Sequence, residues 1–160
     1  MTIDEFADYG VVQMDEDQIR GFLSSQNVGV LGLPTDGAPS MRPLSYWFDG
    51  ESRLYFIYVV GSGSRKAALS TQTDLARFLV YRADTMFNWQ SVLLTGTIDE
   101  VPESERQALE DVVDLRRRPD ALEQASAVEE TELYRFRIDE QVGIEHIGLP
   151  PGFEREVDGE

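Results

Sequence analysis

Residues 28–60 read VGVLGLPTDGAPSMRPLSYWFDGESRLYFIYVV. Three apolar runs, Val28 to Leu33, about Ser40 to Phe48 and Leu54 to Val60, are separated only by turn-forming stretches, Thr35-Asp36-Gly37-Ala38-Pro39 and Asp49-Gly50. Connections this short leave no room for the helical crossover that parallel strands require, so the three strands are expected to be antiparallel neighbours in a sheet. The third run is apolar at both alternate sets of positions, which predicts cover on both faces.

Outward from this block the same pattern continues. On the N-terminal side, Asp15 is placed to cap a helix that carries Ile19, Phe22 and Leu23 on one face and ends near Gln26. On the C-terminal side, the loop Gly61-Ser62-Gly63-Ser64 opens a short helix near Arg65, and strands follow from about Leu75 to Tyr81 and from about Gln90 to Ile98. Pro102 introduces an amphipathic helix over Glu103 to Leu115, with Ala108, Leu109, Val112 and Val113 on its apolar stripe. A last strand is expected over Leu133 to Ile147. The prediction is a mainly β fold, a six-stranded antiparallel barrel with a few helices, occupying residues 15–149 between a lead-in (1–14) and an acidic tail (150–160).

Charge restricts the partners. Thirty acidic residues against fourteen basic ones give a net charge of -16. A nucleic-acid partner is not expected, because phosphate binding depends on cations releasing counterions. The basic triplet Arg116, Arg117, Arg118 reads as a solvated helix end. Such an excess of one sign opposes compaction at low ionic strength and is screened in concentrated salt, so the composition resembles that of salt-adapted proteins. No apolar run is long enough to span a membrane, and Asp4, Glu5 and Asp8 stand where a signal peptide needs positive charge; the expected location is the cytoplasm. There is no Cys, which excludes disulfides, thiolate metal sites and a Cys nucleophile.

Three clusters carry potential chemistry. In Gly61-Ser62-Gly63-Ser64-Arg65-Lys66, a strand-to-helix loop gathers backbone N–H groups beside two cations, a suitable setting for a phosphate. Lys66 is the chain's single Lys; its other cations are all Arg. The loop lacks both the P-loop spacing and the third glycine of a dinucleotide fingerprint. In Met41-Arg42-Pro43-Leu44-Ser45-Tyr46-Trp47, a proline interrupts a strand, which places that strand at an edge or where a ligand meets its backbone. Phe87-Asn88-Trp89-Gln90-Ser91-Val92, ahead of Gly96, puts a large aromatic at a strand entrance. His146, the single histidine, has no nucleophile motif near it and reads as a structural or surface residue.

In this order and spacing, the three clusters resemble the pyridoxamine 5'-phosphate oxidase-like FMN-binding split barrel family over most of residues 15–147. The resemblance implies that Arg42, Pro43, Leu44, Ser45 and Tyr46 run beside the isoalloxazine ring of FMN. It further implies that Ser64, Arg65 and Lys66 hold the phosphate, and that Trp89, Gln90, Ser91 and Val92 approach from a second subunit of a homodimer. The implied activity is that of an FMN-dependent oxidoreductase moving electrons between a small-molecule donor and a small-molecule acceptor. A non-catalytic flavin-binding module would need the same cradle, and related split barrels take a deazaflavin or haem. The final segment, residues 148–160, departs from the basic and aromatic ending that pyridoxamine phosphate oxidases direct at substrate, so oxidation of vitamin B6 is not expected.

Overall fold

A computed structural model describes residues 10–60, 75–105 and 130–148. In chain order its elements are β1 (Val11–Gln13), α1 (Glu16–Ser25), β2 (Val28–Leu33), β3 (Ser40–Ser45), β4 (Trp47–Phe48), β5 (Arg53–Val60), β6 (Ala76–Thr85), β7 (Asn88–Glu100) and β8 (Glu130–Ile147). They form one 8-stranded sheet in the order β3-β2-β6-β7-β8-β5-β4, with β1 added on β8. Every pairing is antiparallel.

The strand expected over 40–48 is in fact two. β3 and β4 lie at opposite ends of the strand order, yet only Tyr46 separates them in the chain. The two ends of the sheet must therefore come together at this residue, and the sheet curls into a barrel split along a seam between β3 and β4. Buried side chains alternate along the strands as a one-sided interior requires: Leu31 and Leu33 from β2, Phe78 and Val80 from β6, Val92 and Leu94 from β7. Phe56, Phe78, Phe136 and Tyr134 are at most 1% exposed. Phe78 is central, with its ring centroid 4.9 Å from that of Phe56 and 5.4 Å from that of Tyr46, the latter edge-on.

The helix is as predicted. Asp15 accepts from the Gln18 N–H at 2.8 Å and Gln18 returns the bond to the Asp15 N–H at 2.9 Å, a closed capping box. Ile19, Phe22 and Leu23 are buried. The helix can sit close to β8 because position 143 has no side chain: a Cβ on Gly143 would lie 2.7 Å from Ile19 Cγ1. A bulge between Thr95 and Gly96 brings β7 equally close to β8.

Some bounds differ from expectation. β6 and β7 extend to meet at Met86 and Phe87, β8 starts at Glu130, and β1 lies in what reads as a polar lead-in. The helix expected from Arg65 and most of that expected over 103–115 fall outside the described residues; a helical turn is present at residues 103–105. No described helix is long and apolar enough to cross a membrane.

Candidate functional site

Among the described residues β3 pairs with a strand on one side only, so the missing N–H of Pro43 falls on a strand with a single ladder. Register assigns the faces. Pro43 lies opposite Val30, and Ser45 opposite the exposed Val28, on the outer surface of the barrel. Arg42 and Leu44 lie opposite Leu31 and Gly29, on the parity of the core; Leu44 packs against it and Arg42 is exposed.

Tyr46 belongs to the frame of the barrel. Its side chain is 4% exposed, its hydroxyl donates to the Leu23 carbonyl at 2.7 Å, and its N–H donates to the Asn27 carbonyl at 2.9 Å. Burial pushes the phenol pKa well above its ordinary value, so the hydroxyl stays a donor. Beside it opens a cavity of about 910 Å³, lined by Ser45, Trp47 and Phe48 and by Gln26, Asn27 and Val28. Spacing alone reads Trp47 as a continuation of the strand holding Ser45. Trp47 keeps the outward parity of Ser45, but its ladder is to β5 at the other end of the strand order.

The third cluster divides between two faces. Trp89 and Ser91 turn outward with His146 and Ile144, their cross-strand partners. Gln90 and Val92 take the other parity: Gln90 Nε2 donates to Glu145 Oε2 at 3.1 Å, and Val92 is fully buried in the core. Trp89 stacks on His146 at a ring-centroid distance of 6.4 Å, and His146 Nδ1 is 2.6 Å from the Phe87 carbonyl oxygen. Gly10 closes over the imidazole; a Cβ there would be 2.8 Å from Nε2. His146, 5% exposed, thus pins the β6–β7 hairpin, as the structural reading expected.

Within one chain β3 and β7 are separated by β2 and β6, three inter-strand steps or about 14 Å along the sheet. The strip at Pro43–Ser45 and the outward side chains Trp89 and Ser91 are therefore not brought together around one small ligand by a single chain. The outer face between them is apolar. Val28, Met41 and Tyr81 are exposed at 53%, 60% and 58%, Val142 on β8 just beyond β7 at 42%, and a groove of about 500 Å³ crosses this face at Gly32 between Met41 and Arg77.

Elsewhere on the outer face lies the main charge network. Arg135, 8% exposed, donates from its Nη2 to Asp99 Oδ2 at 2.6 Å and from Nη1 to Glu105 Oε2 at 3.1 Å, while Arg137 Nε reaches Asp99 Oδ1 at 3.3 Å. Partial burial pushes the Asp99 carboxyl up, but hydrogen bonds and charge from Arg135 and Arg137 outweigh it and hold the group below its ordinary pKa. All three nitrogens of the Arg135 guanidinium have an acidic partner, so the network holds β7, β8 and the turn at 103–105 together. The predicted phosphate residues Ser64, Arg65 and Lys66 lie outside the described residues.

A curled antiparallel sheet whose two edges are one residue apart in the chain, with a cavity at that seam, defines a split β-barrel. The chain belongs to the pyridoxamine 5'-phosphate oxidase family, whose model matches residues 15–145. No curated protein matches it. Among solved structures, it is similar to an FAD-binding protein from Mesorhizobium loti (22% identity, TM-score 0.63, covering 86% of this chain and 99% of that one). An FAD-binding protein from Mycobacterium smegmatis has 12% identity and a TM-score of 0.64, covering 85% and 99%. An FAD- and haem-binding protein from the same organism has 16% identity and a TM-score of 0.67, covering 88% and 75%. At these identities the likeness establishes the shared fold.

Proposed function

We propose that this chain binds a flavin at the seam of the barrel, and that two copies together complete the site and use it for electron transfer between small molecules. The observation that carries the reading is the seam itself. It joins an edge strand with one side free of strand pairing to a cavity whose wall mixes aromatic groups (Trp47, Phe48) with hydrogen-bonding ones (Ser45, Asn27, Gln26). A flavin has that chemistry: a flat apolar ring system with a polar edge. Family membership and the flavin named for the similar structures support the same class of ligand.

Bound flavin supplies reversible hydride and electron transfer; the protein supplies position and charge. In the proposed arrangement Pro43, Leu44 and Ser45 offer main-chain groups to the ring, and Arg42, exposed on the same strand, supplies positive charge toward its polar edge. Ser64, Arg65 and Lys66 hold the phosphate. Trp89 and Ser91 come from the second copy, a reading that the separation of about 14 Å within one chain supports. The exposed apolar face at Val28, Met41, Tyr81 and Val142 is suited to be that dimer contact. The enclosure of His146 by Gly10, Phe87 and Trp89 argues against haem.

The sequence resemblance favours FMN, whereas similar structures are named for FAD, so the test compares them. Full-length protein is titrated with FMN and with FAD by calorimetry, and its mass is measured under native conditions. The expected result is one flavin per chain in a dimer, with FMN bound more tightly and weakened by Lys66→Ala. Bound flavin should then be reduced by a nicotinamide cofactor and reoxidised by a small acceptor. A colourless monomer that takes up neither flavin refutes the proposal.

A further inference from the structure

The two aromatic residues of β4 have different surroundings. Phe48 lies opposite Leu54 and packs against the core. Trp47 lies opposite Tyr55, on the outer parity, and belongs neither to the buried core nor to the residues packed against it. It is only half-buried and lines the seam cavity. A two-residue strand bonded on one side to β5 does not need an indole for its stability. Two and four residues before it, on the same outer surface, are Ser45 and Pro43.

We propose that Trp47 is a further ring-contacting residue, continuing the outward row of Pro43 and Ser45 past Tyr46, with its indole against the isoalloxazine; this inference rests on the flavin reading above. The indole is electron-rich and oxidised isoalloxazine electron-poor, so contact favours stacking and quenches flavin emission. The remainder of the row supports the ring's position. Tyr55, beside Trp47 on β5, is 5% exposed, and Arg135 beyond it is fixed by Asp99 and Glu105, so the indole stands against an ordered surface.

The test titrates FMN, and separately FAD, into full-length wild type, Trp47→Phe and Trp47→Leu, recording affinity, emission of the bound flavin and melting temperature. Trp47→Phe keeps an aromatic ring, so it should fold and bind while bound-flavin emission rises severalfold. Trp47→Leu should bind about tenfold more weakly, the scale of losing an aromatic stack on a flat heterocycle. Wild-type affinity and emission in both variants would overturn the role of Trp47 and leave the flavin reading standing. Failure of the wild type to bind either flavin would overturn both.

Discussion

Gly96→Ala tests the geometry of the barrel most directly. A Cβ at 96 would lie 1.9 Å from the Arg137 carbonyl oxygen and 2.9 Å from Phe136 Cε1. The first distance falls about 1.5 Å short of ordinary contact, and the obstacle is main chain, which no rotamer change can move aside. Relief requires β7 and β8 to part at the bulge. Overpacking costs about 1–3 kcal/mol and each ladder hydrogen bond lost a further ~1 kcal/mol, so the expected destabilisation is about 3–5 kcal/mol. For a chain of this size that lowers the melting temperature by roughly 10 °C. The matched control is Gly37→Ala, at a turn where an added Cβ meets nothing within 4 Å. Urea denaturation of both variants by circular dichroism gives the two values. A Gly96→Ala loss no larger than that of Gly37→Ala would refute the close approach, and with it the register of β7 on β8.

Tyr46→Phe keeps the ring on Phe78 but removes the hydroxyl that donates to the Leu23 carbonyl, so urea denaturation should show a loss of about 1–2 kcal/mol. A neutral result would remove Tyr46 as the tie between seam and helix. Because Asp99 has a lowered folded pKa, its contribution is complete above the ordinary carboxylate value and is lost as pH falls through the lowered one. Wild type should therefore lose stability below about pH 4 more steeply than Asp99→Asn; parallel pH profiles would contradict the pairing with Arg135. With a net charge of -16, the melting temperature should rise as KCl goes from about 0.1 M to about 1 M, where the screening length falls to about 3 Å. A flat response would count against salt adaptation.

The architecture was legible where chemistry repeats at short range. Asp15 with Gln18 announces the helix start, and the turn stretches at 35–39 and 49–50 force antiparallel neighbours. Pro43 correctly reports an edge. The change of edge at Tyr46 was not legible, because no turn-forming residue stands between Leu44 and Phe48 to mark it. What breaks the strand is tertiary: the Tyr46 N–H and hydroxyl are taken by Asn27 and Leu23. For the same reason Trp47 reads as part of the strand holding Ser45, although the fold pairs Ser45 with β2 and Trp47 with β5. The facing of Gln90 and Val92 away from Trp89 follows from strict alternation and could have been read from the sequence. The pairing of Trp89 with His146 depends on the register of strands far apart in the chain and could not.

β8 is the last of the described strands in sequence but lies inside the sheet. It sits between β7 and β5, and among the described residues β5 shares ladders with β8 and the two residues of β4 alone. Until residues 130–147 have left the ribosome, the β2-β3-β6-β7 meander and the β4-β5 ribbon have no common ladder, and each exposes a long unsatisfied margin. Assembly must therefore wait until residues 130–147 have been synthesised. A nascent chain stalled ahead of residue 130 offers two adhesive edges to its neighbours, and such truncated products should require a chaperone where the whole polypeptide does not.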